Sequence, residues 1–219
     1  MPIRLDERLT CIANLVDYGR VADVGCDHGK LGYYLIGTDR ASSVIATDIS
    51  EGSLKKAREL AYENGVTERM QTRLGDGLAP VANGEVDTVV IAGLGGDVIS
   101  RILASAREER KRFAHFVLSP NTHPEKVRRE IVSQSHKIVY DDIVECGGKR
   151  YTVIKTEEGK EELDELQILF GAFYKDNASF AEYAKQELEY KQNILKKHSD
   201  KELLDRVELL KAALANVRG

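Results

Sequence analysis

Asp23-Val24-Gly25-Cys26-Asp27-His28-Gly29 is the stretch of this chain that decides its fold. The apolar run Val21–Val24 leads into it, and a helical segment follows from about Lys30. Its two glycines let the backbone turn sharply and approach a ligand closely. The helix that follows turns its N-terminal amides toward the same point. A buried strand, a glycine turn and a helix in this order indicate an α/β unit with a ligand site at the turn.

The same alternation of strand and helix continues outward from this stretch. A helix is predicted over residues 5–18, and strands are predicted at 21–24, 43–47, 69–74, 86–91 and 113–118. Two further strands, at 137–145 and 150–156, flank Cys146-Gly147-Gly148-Lys149, whose glycines signal a hairpin. We therefore predict an α/β fold with a Rossmann-like parallel sheet that ends in an antiparallel hairpin strand.

Composition changes after about residue 158, where glycine becomes rare and strand patterns disappear. An a/d seam at 4-3-4-3 spacing is formed by Leu203, Val207, Leu210, Leu214 and Val217. A less regular stripe precedes it, at Phe170, Phe173, Phe180, Ala184, Leu188 and Leu195. We predict a ligand-binding domain at 1–158 and a coiled-coil-like antiparallel helical hairpin at 159–219. Its turn is expected near His198-Ser199-Asp200, with Ser199 and Glu202 as a capping box.

Composition also limits the class of protein. No run of about 18 apolar residues is present, so no transmembrane helix is expected. The charged N-terminus lacks the apolar core of a signal peptide, so we expect a cytoplasmic protein. Cys11, Cys26 and Cys146 lie far apart and predict neither a disulfide framework nor a metal site. Cys26 could be a nucleophile, but a small residue that fills a tight turn is the favoured interpretation.

The strand ends carry side chains that suit one particular ligand. A dinucleotide fingerprint would read G-x-G-x-x-G, whereas here the spacing is G-x-x-x-G. S-adenosylmethionine has no phosphate to cradle, and Asp23 and Asp27 suit its cationic amine. Asp48 stands where a carboxylate takes ribose hydroxyls, and Asp76 could accept the adenine N6 proton. The predicted cofactor residues are Asp23, Gly25, Asp27, His28, Gly29, Leu31, Asp48, Ile49, Gly75, Asp76, Gly77, Ala92 and Gly93.

Five short motifs give the chain a family resemblance. They are D-V-G-C-D-H-G-K-L at 23–31, A-T-D-I-S at 46–50, G-D-G-L at 75–78, A-G-L-G-G at 92–96 and S-P-N at 119–121. Together they resemble the bacterial tRNA adenine-22 N1-methyltransferases (the TrmK family) among the class I S-adenosylmethionine-dependent methyltransferases. The resemblance implies methyl transfer to N1 of an adenine in the D-arm region of tRNA. It also implies that the C-terminal helices help to hold the tRNA.

Such a reaction requires a base exposed from its stack and placed beside the methyl group. Asn121 is a candidate to receive the N6 hydrogen, with Asp27 and His28 as other catalytic candidates. A turn cap is an equally open interpretation for Asn121. The basic candidates for tRNA contact are Arg101, Arg107, Lys111, Lys126, Arg128 and Arg129. Each cluster alone also fits a solvated helix face, and the net charge of −4 argues weakly against a nucleic-acid binder.

Three other functions remain open from the residues alone. A nicotinamide-dependent oxidoreductase would bind NADH rather than S-adenosylhomocysteine. A methyltransferase for another RNA position, a small metabolite or a protein would differ in its substrate. A non-catalytic RNA-binding or assembly module would show no methyl transfer, and the helical tail could serve dimerisation. A monomer without metal is the expected state of the protein.

Overall fold

The computed structural model describes residues 3–196 and 200–218. At its centre is a seven-stranded sheet in the order β3-β2-β1-β4-β5-β7-β6. The strands are β1 (Gly19–Val24), β2 (Ala41–Asp48), β3 (Met70–Leu74), β4 (Thr88–Ala92), β5 (His115–Ser119), β6 (His136–Cys146) and β7 (Lys149–Glu158). The first five are parallel, and β7 runs antiparallel to both β5 and β6. The predicted sheet with its terminal hairpin is confirmed, and the parallel strands all end at one edge.

Helices cover both faces of this sheet because its central strands are apolar on both sides. Val21 and Val90 belong to one core cluster, whereas their neighbours Ala22 and Val89 belong to the other. The helices α1–α3 pack on the first face, and α4 and α5 pack on the second. The helices of this part are α1 (Glu7–Leu15), α2 (Lys30–Gly37), α3 (Glu51–Glu63), α4 (Gly96–Glu108) and α5 (Pro124–Ser133).

The hairpin between β6 and β7 turns at the two glycines that the sequence singled out. Gly147 and Gly148 have φ angles of 56° and 72°. A two-residue turn with both central residues in the left-handed region matches the twist of the flanking strands. The hairpin is therefore tight, and it places the start of β7 at the sheet edge where the parallel strands end.

The tail contains more than the predicted pair of helices. α6 (Glu165–Phe170) and a short 3-10 helix (Tyr174–Asp176) come before the long helices α7 (Ala178–Leu195) and α8 (Lys201–Asn216). The helices α7 and α8 pack against each other. Their core includes Phe180, Ala184 and Leu210. Phe173 departs from the predicted stripe and is 42% exposed, because α6 ends at Phe170 and the chain turns there.

The connection between the two long helices is described only in part. His198 and Ser199, to which the predicted turn and capping box were assigned, lie outside the described residues. Asp200 is the N-cap of α8, and its side chain accepts the backbone N–H groups of Glu202 and Leu203. The predicted seam is buried at Val207 and half-buried at its two ends.

Arg128 joins the tail to the sheet, which corrects its predicted contact with tRNA. Its side chain is 3% exposed and pairs with Asp141 of β6 through two hydrogen bonds of 2.7 and 3.0 Å. Its third nitrogen donates to the carbonyl of Ile168 in α6 at 3.0 Å, and Asp141 also accepts the N–H of Ala172. A buried guanidinium that is bonded through each of its three nitrogens inside the protein does not face an RNA phosphate. Arg128 is a structural residue.

Candidate active site

A cavity of about 700 Å³ opens at the edge where the parallel strands end. The ends of β1, β2, β3 and β4 and the loops that follow them form its wall. All of the predicted cofactor residues except Gly29 line it. Parallel strands of an open α/β sheet bind their ligands at this edge, outside the carboxyl ends. The cavity therefore collects predicted cofactor residues that lie up to 70 positions apart in the sequence, from Asp23 to Gly93.

Gly29 has a different role from the predicted one. It precedes α2 with a φ angle of 70°, a conformation that favours glycine. A Cβ at this position would lie 2.5 Å from the terminal methyl of Met70 and 2.8 Å from the Cβ of Ala57. Gly29 thus lets the turn pack closely on α3 and β3. It shapes the ligand loop from behind and does not line the cavity.

Asp23 places a buried carboxylate in the cavity wall. It is 5% exposed, and its Oδ2 atom has no hydrogen-bond partner among residues 3–196 and 200–218. Burial raises its pKa to about 7, with a further contribution from the nearby Asp48 carboxylate, while the backbone of Gly32 acts in the opposite direction. A buried carboxylate is stabilised by a cationic partner. This unsatisfied oxygen fits a ligand that brings a positive charge, as the amine of a methionine moiety does.

Asp48 organises the glycine loop as well as facing the cavity. Its Oδ2 accepts the N–H of Asp27 at 3.1 Å, and its Oδ1 accepts the N–H of Ser50 at 2.8 Å. Asp27 has a φ angle of 51°, unusual for a residue with a side chain. Each carboxylate oxygen retains acceptor capacity for ligand hydroxyls. Next to it, Ile49 is 75% exposed, which provides an apolar surface in the cavity wall.

Asp76 and Arg101 face each other across the far end of the cavity. Their side chains form an exposed ion pair of 2.9 Å, so only one carboxylate oxygen of Asp76 is engaged by Arg101. Gly77, next in the chain, has a φ angle of 58°, and a Cβ there would lie 2.8 Å from Ile102. The loop after β3 is thus held against α4. The second oxygen of Asp76 is left to accept a hydrogen bond from a ligand.

His28 is oriented by a lysine from α3. Its Nε2 lies 2.9 Å from Nζ of Lys56 and 3.4 Å from a carboxylate oxygen of Asp27. An ammonium group only donates, so the contact with Lys56 uses the lone pair that Nε2 of a neutral ring would offer. The ring nitrogen that could act as a base is already occupied by Lys56. This arrangement favours a binding role for His28 over proton abstraction.

Asn121, after β5, makes contacts that fix the orientation of its amide. Its Nδ2 donates to the backbone carbonyl of Gly93 at 2.6 Å, and its Oδ1 accepts from the guanidinium of Arg8 at 3.1 Å. A carbonyl only accepts and a guanidinium only donates, so the two ends of the amide cannot be exchanged. Its backbone N–H also donates to Leu94 at 2.8 Å. Asn121 therefore joins the loop after β5 to the loop after β4.

Two residues at this point were missed by the sequence analysis. Arg8 lines the cavity, and its guanidinium lies 4.5 Å from the ring centroid of Tyr151, at the start of β7. A guanidinium over an aromatic face is a favourable cation–π contact. Within the described part of the chain, no carboxylate lies within salt-bridge distance of Arg8. Arg8 and Asn121 lie 113 positions apart in the sequence and meet only in the folded chain. Their separation in the sequence therefore does not predict the contact.

Gly96 explains why these loops approach so closely. A Cβ at this position would collide with the backbone carbonyls of Thr122 and His123. The N–H of Gly96 donates to the Thr122 carbonyl at 2.8 Å. The glycine-rich segment 92–96 therefore lets backbone pack against backbone. Residues 92–94 line this edge of the cavity, and Asn121 bonds to the carbonyl of Gly93 from the loop after β5.

Comparison with known proteins agrees with this geometry. The family described as a methyltransferase domain matches residues 5–154. A Bacillus subtilis protein named tRNA (adenine(22)-N(1))-methyltransferase is 31% identical over 97% of this chain and 98% of its own length. The chain belongs to the tRNA (adenine(22)-N(1))-methyltransferase family. The resemblance carried by the five motifs is confirmed.

Solved structures of this methyltransferase family superpose on nearly the whole chain. The B. subtilis M1A22 tRNA methyltransferase TrmK is 29% identical with a TM-score of 0.85, and the match covers 96% of this chain and 99% of that one. M. capricolum TrmK, in complex with the cofactor product S-adenosyl-homocysteine, is 26% identical with a TM-score of 0.87, covering 98% and 99% of the two chains. The C-terminal helices thus belong to the architecture that this family shares.

The basic residues predicted to contact tRNA do not all face the cofactor cavity in this methyltransferase. Lys111 is only 11% exposed and donates to the carbonyls of Leu78 and Ala79, so its prediction is corrected. Arg107 lies near the C-terminal end of α4, beside a cleft at the start of β5 and thus at the opposite sheet edge from the cofactor cavity. Arg101 lines the cavity itself. Location along α4 therefore decides which cations face the site.

Lys126 and Arg129, both on α5, remain exposed but are paired. Lys126 forms an ion pair with Asp97 of α4, and Arg129 pairs with Glu165 of α6. Exposed pairs of this kind are weak, because water competes for both charges. A phosphate could therefore replace either carboxylate at small cost, and both residues stay candidates for RNA contact.

Cys26 has the structural role that its position suggested. Its side chain is buried, and burial together with the Asp23 and Asp48 carboxylates raises the pKa of the thiol. A neutral thiol is a poor nucleophile.

Among the described residues, no group of three His, Cys, Asp or Glu side chains could hold a metal ion. Within the same residues, no helix is long and apolar enough to cross a membrane.

Proposed function

We propose that this protein transfers a methyl group from S-adenosylmethionine to N1 of an adenine in tRNA, at the position 22 that the name of its B. subtilis relative gives. The observation that carries the proposal is the cavity at the strand ends. It combines an unsatisfied buried Asp23, the Asp48 carboxylate and an edge at residues 92–94. The M. capricolum relative, with S-adenosyl-homocysteine bound, supports this choice of cofactor.

The residues of the cavity fit the parts of this cofactor one by one. When bound, the cofactor supplies a methyl group on a sulfonium, which is a good leaving group. Asp23, and Asp27 beside it, suit the methionine amine, and Asp48 suits the ribose hydroxyls. The exposed Ile49 offers an apolar surface to the adenosine, and the free oxygen of Asp76 can accept its N6 hydrogen. The glycine backbone at 92–93 allows a close approach of the methionine part.

The substrate adenine would enter between the loops after β4 and β5. N1 normally lies on the base-pairing face, so the base has to leave its stack. Methyl transfer passes the positive charge of the sulfonium to the adenine ring, which makes the N6 amino group a stronger hydrogen-bond donor. The Oδ1 of Asn121 accepts Arg8 with one lone pair and retains another for N6. Fixed placement of the base against the methyl group can then supply much of the rate gain.

Arg8 has two suitable tasks in this reaction. Its guanidinium keeps the Asn121 amide in one orientation, and its position at the cavity mouth suits a phosphate of the exposed nucleotide. Arg101, Lys126 and Arg129 extend the cationic surface that would follow the RNA. A protein with this substrate works where tRNA is present, so we place it in the cytoplasm. We expect a monomer, and we name no metal in the reaction.

The proposal is tested by incubating the protein with labelled S-adenosylmethionine and an unmodified tRNA transcript, followed by nucleoside analysis. We expect N1-methyladenosine from the wild-type transcript and none from a transcript with guanine at position 22. Methylation of both transcripts would contradict the position, and absence of N1-methyladenosine would contradict the reaction. A thermal-shift comparison of S-adenosylhomocysteine with NADH separates this cofactor from a nicotinamide, because only a bound ligand stabilises the fold.

A further inference from the structure

A second cavity, of about 230 Å³, lies next to the cofactor cavity. It is bounded by Asn121, by Arg150 near the start of β7, and by Tyr183 and Arg206 of α7 and α8. Asn121 connects the two cavities, because it lines the second while its amide oxygen accepts from Arg8, which lines the first. The second cavity is therefore placed between the proposed methylation site and the C-terminal helices.

The acidic groups of this second cavity are already satisfied. Asp141 is neutralised by Arg128 in the buried pair described above. Asp142 accepts from the side-chain amide of Asn177 at 2.8 Å and from a backbone N–H at 2.7 Å. Glu125 lies 3.2 Å from the ring of His123. Asp141 is thus neutralised by a cation, whereas Asp142 is held by two hydrogen bonds to its Oδ1 atom and Glu125 by a histidine ring.

The cationic groups of the cavity are less completely engaged. Arg206 lies over the ring of Phe170 at 4.7 Å, and no carboxylate in residues 3–196 or 200–218 lies within salt-bridge distance of it. Arg150 is more fully engaged, because it is held by Glu145 at 3.0 Å and by the side-chain oxygen of Gln186 at 2.8 Å, and it lies over the ring of Tyr183 at 5.7 Å. Aromatic rings and guanidinium planes are the surfaces on which proteins stack unpaired bases. Arg206 can meet a phosphate at the same time.

We propose that the second cavity binds a nucleotide that neighbours the methylated adenine in the RNA chain. The proposal rests on the function proposed above. The base would stack on the Tyr183 ring or the Arg150 guanidinium, and Arg206 would take the adjoining phosphate. The volume is below the roughly 300–1,000 Å³ of pockets for drug-sized ligands, which suits one base. Asn121 would then separate the two unstacked bases, one in each cavity.

The chain contains no tryptophan, so one introduced tryptophan reports on this cavity alone. The Tyr183→Trp variant places the reporter in the cavity wall, and the Tyr190→Trp variant places it on the same helix at a side chain that is 62% exposed and away from the cavity. Unmodified tRNA transcript is titrated into each. We expect strong quenching in Tyr183→Trp and little in Tyr190→Trp, because base stacking quenches the indole. Equal quenching in both, or none in Tyr183→Trp, would overturn the proposal.

Charge is tested on α8 with a matched pair of variants. Arg206→Gln should raise the Kd for tRNA about 10-fold and lower its salt dependence by about one phosphate contact. Lys211→Gln removes an exposed charge from the same helix and should change the Kd less than 2-fold. Equal behaviour of the two variants would overturn the role of Arg206. Binding of S-adenosylhomocysteine, measured by calorimetry, should be unchanged in both and shows that they are folded.

Two further arms separate the possible errors. AMP at the tRNA concentrations used should not quench Tyr183→Trp, and quenching by AMP without quenching by tRNA would replace the RNA site with a free-nucleotide site. If the wild-type protein methylates tRNA but Tyr183→Trp shows no quenching, the proposed function is retained and the nucleotide site in the second cavity is contradicted. If Tyr183→Trp is quenched as expected but the wild-type protein transfers no methyl group, the RNA site is retained and the proposed reaction is contradicted.

Discussion

The side-chain amide of Asn121 donates to the backbone carbonyl of Gly93 at 2.6 Å, and so ties the loop after β5 to the loop after β4. The same amide is held from the other side by Arg8. In the function proposed above, the methyl acceptor lies between these two loops. The contact therefore gives Asn121 a positioning role in addition to any hydrogen bond that it makes to the base.

Replacement of Asn121 by alanine should lower kcat roughly 100-fold, because the acceptor base and the methyl group would lose their fixed geometry. The Kd for S-adenosylhomocysteine should change little, since Asn121 does not line the cofactor cavity. Single-turnover kinetics and calorimetry measure the two quantities. Asn121→Asp retains the oxygen that faces Arg8 and loses the donor to Gly93, so it should recover part of the rate. Unchanged kcat and tRNA affinity in Asn121→Ala would remove Asn121 from the reaction.

Asp48→Ala should weaken cofactor binding without abolishing folding. Hydrogen bonds to a charged group contribute about 1.5–3 kcal/mol each, so the loss of the ribose contact predicts a 10- to 100-fold higher Kd. The loop at Asp27 also loses its carboxylate acceptor. Calorimetric titration with S-adenosylhomocysteine gives the Kd. Asp39→Ala, a carboxylate that is 84% exposed outside the cavity, is the control. An unaltered Kd in Asp48→Ala contradicts its place in the site.

Asp23 should make both stability and cofactor affinity depend on pH. Its pKa is raised to about 7 in the folded protein, so the folded state binds more protons than the unfolded state between about pH 4 and 7. The free energy of unfolding of the cofactor-free protein should therefore fall as pH rises through this window, by at most about 4 kcal/mol. Above about pH 7.5, the contribution of Asp23 to the free energy of unfolding should no longer change with pH.

Cofactor affinity should change in the opposite direction. A cationic amine binds better to an ionised carboxylate, so the affinity for S-adenosylhomocysteine should rise as pH increases from 6 to 8. Asp23→Asn should remove both dependences, since the amide does not titrate. Denaturant unfolding and calorimetry across this range measure the two effects. Identical pH profiles for wild type and Asp23→Asn would show that Asp23 does not titrate there.

Much of the cofactor site could be predicted because it is made by strand ends. Parallel strands bring their carboxyl ends to one edge, so Asp23, Asp48 and Asp76 could be placed together from order alone. Arg8 could not be placed, because its contact with Asn121 depends on how α1 packs on the finished sheet. The packing role of Gly29 could not be predicted either, because its neighbours in α3 and β3 are known only from the folded structure.

The burial of Arg128 could have been predicted from its helical spacing, but the basic residues around it favoured an exposed position. It stands three residues before the buried Ile131, so the two share a face of α5. The neighbouring Lys126 and Arg129 made the segment resemble an exposed basic cluster. What the sequence could not give is the partner Asp141, which β6 brings under the helix. The sheet order places β6 at an edge, where α5 packs against it.

Breaking the Arg128–Asp141 pair should therefore change stability rather than RNA recognition. Removal of one partner leaves a buried charge without compensation, and we expect Arg128→Ala to lower the free energy of unfolding by about 3–5 kcal/mol. The matched variant Arg129→Ala loses only an exposed pair and should lower it by less than about 1 kcal/mol. Arg128→Met combined with Asp141→Leu removes both charges and should recover part of the loss. Denaturant unfolding gives all four values, and a stable Arg128→Ala protein with weakened tRNA binding would return Arg128 to the RNA surface.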